Sequence, residues 1–139
     1  MNIAFKEWNV VDLALGEGRQ SILIRKGGIR ERGGRFEVEH ERFLIYPTYL
    51  HQSPHMLKAD WRPRAHDDRD DKTVVAFRHL VRVEEVFVAP PEPHMARWDT
   101  LHIYSPDLVR ARYSYKPERP LYVLLVRAYQ LATPQPVVE

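Results

Sequence analysis

The chain has 139 residues, a hydrophobic fraction of 44% and a formal net charge of +2 at pH 7. This length suits one domain with one core, and the composition is that of a globular protein. Because the chain has no cysteine, disulfides and cysteine-ligated zinc are excluded. No apolar run approaches the roughly 20 residues that cross a bilayer, and the N-terminus lacks a signal-peptide pattern. We predict one cytoplasmic domain over residues 1–139, without membrane contact, metal or cofactor.

The first predicted element is an amphipathic helix. From Ala4 to Leu15, apolar residues that include Trp8 recur at helical spacing and form one stripe. Gly16 follows the stripe, and glycine ends helices readily because it adopts the left-handed conformation at little cost. The pattern predicts a helix over roughly residues 4–15.

A basic, glycine-rich turn comes next. Residues 20–26 predict a strand covered on both faces, since their apolar run is continuous. Arg25 and Lys26 lie where this strand ends, and Gly27-Gly28 turns the chain. Exposed backbone N–H groups beside two cations form an anion-binding corner. The alternative is a plain turn with two solvated basic side chains.

Later patterns predict four more strands and a second helix. Ser105-Pro106-Asp107 has the residue types of a helix start. Arg127 is a charge within a strand that is apolar on both faces, so it needs a carboxylate, a network or a polar cavity. The consecutive aspartates of the DDRDD run splay apart, which disfavours a metal site. The predicted strands cover residues 35–41, 42–46 (ended by Pro47), 73–89 and 121–131, the last one central, and Pro134 and Pro136 close the domain.

Several segments resemble an uncharacterised bacterial domain-of-unknown-function family. They are KEW (Lys6–Trp8), GRQ and RKGGI within Gly18–Ile29, FEVEHERF (Phe36–Phe43), PTYLHQ (Pro47–Gln52) and PLYVLLVRAYQL near the end. This resemblance covers nearly the whole chain.

The order of elements also resembles the ASCH domains of the PUA-like superfamily. A helix bearing Trp8, then Gly18, then a strand ending at Arg25 is similar to the start of those domains, and the strand with Arg127 to their end. The resemblance implies an α+β fold, a small β-barrel with short flanking helices. It also implies binding of RNA or modified nucleotides in a cleft, and a few ASCH proteins are nucleases or amidohydrolases.

The favoured function is therefore that of a nucleic-acid or nucleotide-binding module, with RNA as the preferred partner. Basic side chains hold phosphate without reading sequence, while aromatic side chains stack on bases. We predict that Arg25, Lys26, Tyr49, His51 and Gln52 line one pocket, with Lys6 and Trp8 at its wall. The predicted ligand-binding residues are Trp8, Arg19, Arg25, Lys26, Tyr49, Gln52 and Arg127, with further phosphate contact from Arg30 and stacking on Tyr46.

Two alternatives stay open. The first is a small hydrolase, of nuclease or amidohydrolase type, acting on a nucleotide-like substrate. It would use Lys6, Glu39 and His51 as acid, base and charge stabiliser, because histidine transfers protons near neutral pH. The second is a protein-interaction module, whose partners the sequence does not identify.

Overall fold

A curved, five-stranded mixed sheet organises the fold in the computed structural model, which describes residues 3–50 and 52–138. The strands lie in the order β1-β5-β6-β7-β2 and form a half-barrel. A separate hairpin, β3-β4, projects from it. The strands are β1 (Ala4–Trp8), β2 (Ile22–Arg25), β3 (Ile29–Arg32), β4 (Arg35–Val38), β5 (Arg42–Thr48), β6 (Val74–Val88) and β7 (Tyr122–Val138).

Two helices and three 3-10 segments in the described ranges contribute side chains to the same hydrophobic core as the strands. Helix α1 (Asn9–Gly16) follows β1 without a break, and helix α2 (Pro106–Ser114) begins at Ser105, whose hydroxyl accepts the Leu108 N–H. None of the helices in the described ranges is long and apolar enough to span a membrane. The 3-10 segments are Pro54–Met56, Ala59–Arg64 and Glu92–Leu101. The largest fully buried side chains are Phe43, Ile22, Leu23, Ile45, Leu57, Ile103 and Leu124.

The sheet has two free edges that face each other. β1 pairs with β5 in parallel, whereas the β5-β6, β6-β7 and β7-β2 ladders are antiparallel. Strands β1 and β2 are the outermost strands of this order. The Arg25 guanidinium of β2 nevertheless lies 4.6 Å from the ring of Phe5 in β1. A side chain, rather than a hydrogen-bonded ladder, therefore spans this seam between the edges.

The prediction of a helix from residue 4 was wrong for its first turn. Residues 4–8 form β1, because pairing with β5 offers their backbone groups a complete parallel ladder. Phe5 also packs edge-on against Phe43, with ring centroids 4.6 Å apart. Helix α1 starts only at Asn9, so tertiary contacts outweigh the helical spacing of the apolar residues.

Pro47 did not end its strand as predicted, and Pro136, which was predicted to close the domain, lies within β7. Pro47 lies within β5, beyond the residues that pair with β6, so the missing N–H costs no bond in that ladder. Pro136 pairs with Ala76, in a part of β7 that β2 does not reach. Both prolines therefore sit where one side of the strand has no ladder, as edge positions allow.

The remaining predicted elements largely hold. The strand over residues 20–26, the one over residues 73–89 and the helix start at Ser105 are confirmed. Of the strand predicted over residues 35–41, only Arg35–Val38 forms a strand, β4. Strand β3 was not predicted, because three of its four residues are charged and they show no apolar alternation. Leu124 is 1% exposed, in agreement with a central strand over residues 121–131.

Candidate ligand-binding cleft

A cleft of about 1060 Å³ opens at the seam between β1 and β2. Lys6 and Glu7 alternate along β1 and both line the cleft, so it reaches both faces of this edge strand. Five aromatic side chains join the lining: Trp8, Tyr46, Tyr49, Tyr104 and Tyr115. Six basic residues face two acidic ones, namely Lys6, Arg25, Lys26, Arg69, Lys72 and Arg112 against Glu7 and Asp67.

Arg25 is held by aromatic rings rather than by anions. Its guanidinium lies 4.6 Å from the centroid of Phe5 and 5.6 Å from that of Phe43. Its Nε is buried and has no hydrogen-bond partner among the described residues. A buried donor without a partner is costly, about 1–3 kcal/mol, so an acceptor such as a water molecule or a ligand would stabilise this position.

Glu7 is a carboxyl in the same cleft. Burial raises its pKa, while the nearby Arg25 and Arg112 cations oppose that shift. Its carboxyl makes no hydrogen bond or ion pair within the described ranges. Arg112, an exposed residue of α2, also forms no ion pair with any of the described residues. We call Glu7, Arg25 and Arg112 the Arg25 wall.

Lys26 braces the rim of the cleft. Its Nζ donates to the carbonyl oxygens of Tyr113 at 3.3 Å, Lys116 at 3.5 Å and Arg119 at 3.0 Å. These bonds attach the residue after β2 to the last turn of α2 and to the turn that follows it. Lys26 therefore contributes positive charge to the cleft while its position is fixed by backbone oxygens.

The opposite side carries a paired set of charges. The Arg69 guanidinium stacks 3.8 Å from the ring of Tyr49 and donates to both oxygens of Asp67 at 2.9 Å. These bonds hold the pKa of Asp67 well below its usual range. Lys72 lies 3.5 Å from the same carboxylate. The first aspartate of the DDRDD run thus orders a loop, and we call Tyr49, Asp67, Arg69 and Lys72 the Tyr49 wall.

A second charged cluster lies where α1 packs against β6, and its residues do not line the cleft. Asp12 is 0% exposed and accepts from His79 Nδ1 at 2.7 Å and from Arg78 Nη2 at 2.6 Å. Asn9 accepts a hydrogen bond from Arg78 as well. A Cβ at Gly16 would lie 2.3 Å from His79 Nε2, so the absence of a side chain there lets the imidazole pack. We call Asn9, Asp12, Arg78 and His79 the Asp12 cluster.

Six of the predicted site residues come together in the cleft, and His51 lies outside the described residues. Lys6 is one of the six, with its Nζ 5.9 Å from the ring of Tyr46. The full set that lines the cleft is Lys6, Trp8, Arg25, Lys26, Tyr46 and Tyr49.

Five predicted residues are not part of the lining, and one of them, Arg30, is an exposed residue of β3. Gln52 caps α1 instead, since its Oε1 accepts the Val10 N–H at 2.9 Å. Arg127 projects from the sheet with 65% of its side chain exposed and lies 3.6 Å from Glu84. Glu39 is 80% exposed, and Arg19 is exposed beyond the end of α1. Lys6 and Glu39 therefore do not line the same cleft, and the role predicted for His51 beside them stays a prediction.

Glu7 and Arg112 were missed by the sequence reasoning. Arg112 belongs to the predicted second helix, and nothing in the sequence shows which elements that helix packs against. Glu7 lies off the apolar stripe of the helix predicted over residues 4–15. Had residues 4–8 been interpreted as a strand, period-two alternation would have placed Glu7 on the same face as Phe5.

Comparisons with known proteins agree with this fold. A family model described as a domain of unknown function (DUF1802) matches residues 4–139. The crystal structure of ASCH from Zymomonas mobilis superposes with a TM-score of 0.56 at 12% identity, covering 97% of this chain and 71% of that one. A point mutant of the same protein gives 0.54 at 12% identity, covering 97% and 73%. A search of curated proteins finds no match. The predicted PUA-like, ASCH-like fold is confirmed.

Proposed function

The chain belongs to the DUF1802 family, and we propose that its cleft binds single-stranded nucleic acid or nucleotides, with RNA preferred. The observation that carries the proposal is the joint presence of six basic and five aromatic side chains in one cleft. Cations supply affinity for phosphates, and aromatic faces stack bases without regard to sequence.

The dimensions favour a single strand over a duplex. The cleft follows the edge of one β-strand and reaches both of its faces, which suits a flexible chain more than a rigid helix. Tyr115 is 57% exposed at the cleft and offers an open ring for stacking. Lys6, Arg112 and Lys72 surround the aromatic rings and can meet phosphates on either side of a stacked base.

The fold comparison adds only the architecture, since 12% identity carries no activity across. RNA as the preferred partner rests on the resemblance to PUA-like domains together with the charges of the cleft. The hydrolase alternative stays a prediction, as does location in the cytoplasm.

The proposal is tested by fluorescence anisotropy with a labelled single-stranded RNA of about eight nucleotides, compared with DNA of the same sequence and with duplex RNA. Lys6→Ala and Arg112→Ala should each weaken binding several-fold. The binding constant falls as salt rises, and each variant should reduce the steepness of log binding constant against log salt concentration by about 0.7. This is the change expected for one lost phosphate contact on a single strand.

The matched control is Arg127→Ala, which removes an exposed cation outside the cleft. It should leave affinity and salt dependence unchanged. If RNA does not bind at low salt, or if all three variants weaken binding equally, the cleft is not the binding site. Gel analysis of the recovered RNA reads out hydrolysis in the same samples.

A further inference from the structure

Two polar groups in the Arg25 wall lack partners, and they have opposite hydrogen-bonding character. Arg25 Nε is a buried donor without an acceptor in the described part of the chain. Glu7 is an ionisable carboxyl with two acceptor oxygens and no donor within the same ranges. A ligand that satisfies both must offer acceptors on one side and donors on the other.

Their spacing favours a ligand between them over a direct ion pair. The Arg25 guanidinium rests on Phe5, and Glu7 is two residues further along β1 on the same face. No Arg25 nitrogen lies within 4.0 Å of a Glu7 carboxylate oxygen, so the two side chains form no direct ion pair. A planar group that hydrogen-bonds at both ends bridges such a gap.

Guanine has the required acceptors and donors on two neighbouring edges of its ring system. Its N7 and O6 are neighbouring acceptors, and its N1–H and N2–H groups are neighbouring donors. An arginine fork pairs with N7 and O6 in its common base contact, and a carboxylate accepts two parallel donors. We propose that Arg25 and Glu7 together recognise a guanine base, an inference that rests on the proposed nucleotide binding by this cleft.

The other bases satisfy fewer of the hydrogen-bonding groups of Arg25 and Glu7. Cytosine offers Glu7 one amino group beside two acceptors, so one carboxylate oxygen stays unpaired. Adenine offers Arg25 a single acceptor at N7 next to a donor, and uracil has one donor between two acceptors. A site that leaves buried polar groups unpaired rejects such analogues strongly, so guanine is the best match.

The rest of the wall supports a base in this position. Val11, Ile24 and Leu108 line the same cleft and provide an apolar surface for a planar ring. Arg112, which has no ion-pair partner in the described structure, lies close enough to Glu7 to influence its pKa. It is therefore placed to meet the phosphate of the same nucleotide.

The experiment uses the whole chain and uridine octamers that differ at one central base: guanine, inosine, 7-deazaguanine, adenine or cytosine. Inosine lacks the N2 amino group that Glu7 contacts, and 7-deazaguanine lacks the N7 acceptor that Arg25 contacts. We expect the guanine octamer to bind about tenfold more tightly than each of the others, and than the all-uridine octamer.

Two variants then assign the contacts. Glu7→Gln should reduce the guanine-to-inosine preference to about twofold while the guanine-to-7-deazaguanine preference persists. Arg25→Lys keeps the charge and removes the forked pair of donors. It should reduce the guanine-to-7-deazaguanine preference to about twofold while the guanine-to-inosine preference persists. The wild-type ligand series needs no variant, so the test stands even if a variant folds poorly.

The outcomes separate this inference from the function on which it rests. Equal affinity for all octamers overturns guanine recognition and leaves nucleic-acid binding standing. A preference for cytosine or adenine over guanine also overturns it. If none of the octamers binds at low salt, both guanine recognition and nucleic-acid binding are overturned. If Glu7→Gln loses only the preference over inosine and Arg25→Lys loses only the preference over 7-deazaguanine, the assigned contacts are supported.

Discussion

The Asp12 cluster and the Arg25 wall both place an acidic side chain near an arginine. They differ in whether those side chains form hydrogen bonds and ion pairs within the described structure. In the Asp12 cluster the carboxylate accepts from His79 and Arg78 within 3.0 Å. In the Arg25 wall, Glu7 and the Nε of Arg25 have no partner among the described residues. Paired buried charges hold helix α1 on the sheet, while unpaired ones at an open cleft are available to a ligand. The comparison teaches that two clusters of similar charge content differ in the number of hydrogen-bond and ion-pair partners that each carboxyl has in the described structure.

Removal of Asp12 should have the largest effect on stability. Asp12→Ala leaves Arg78 and His79 without their buried acceptor, and breaking a buried pair costs about 3–5 kcal/mol of unfolding free energy. Urea denaturation of the variant and the wild type measures the difference. Glu7→Gln is the counterpart from the cleft and should change stability by less than about 1 kcal/mol at acidic pH. Similar losses in both variants would remove the distinction between the two regions.

The two glycines that border these regions give a smaller contrast. Gly16→Ala puts a Cβ 2.3 Å from His79 Nε2 and must displace the imidazole, at a cost of about 1–3 kcal/mol. Gly27→Ala is the control, because a Cβ there has no heavy atom within 4 Å and the backbone has no positive φ. It should shift stability by no more than about 0.5 kcal/mol. Equal thermal melting temperatures for the two variants would show that His79 is not tightly packed.

The smallest effect concerns the pH dependence of stability. Since burial raises the pKa of Glu7 in the folded state, the unfolded chain releases that proton first as pH rises. The wild type therefore loses stability above the unfolded-state pKa near 4.5, until folded Glu7 ionises as well. Glu7→Gln should be more stable than the wild type at neutral pH and should lose this advantage below about pH 4.5. Parallel curves of unfolding free energy from pH 4 to 8 would contradict the desolvation of Glu7.

The sequence predicted well the elements whose signal is local. Strand β6 carries a long run of β-branched residues, and helix α2 has a capping serine followed by proline. The resemblance to ASCH domains added the half-barrel, which local patterns alone do not specify. Arg25, Lys26 and Tyr49 were placed correctly in one cleft because they flank turns at strand ends, where backbone and side chains are exposed.

What failed depended on contacts between distant residues. The first turn of the predicted helix became β1 because β5, about 40 residues later, pairs with it. Gln52 was expected to bind ligand, but it caps α1 across a separation of 42 residues. Arg127 was expected to need a partner in an apolar strand, yet the face it occupies is open to solvent. In each case the sequence gives the residue type and only the fold gives its neighbour.

The position of β7 in the sheet has a consequence for how the protein folds. In the described part of the chain β2 pairs with β7 alone, and Leu23 meets Leu124 about 100 residues later. Closing loops of this length before contacts form makes folding slow, on the millisecond-to-second scale typical of high contact order. During synthesis β2, and with it Arg25, has no ladder until β7 has emerged from the ribosome. The cleft is thus among the last parts of the protein to assemble, so a nascent chain acquires this surface only when the sheet is complete.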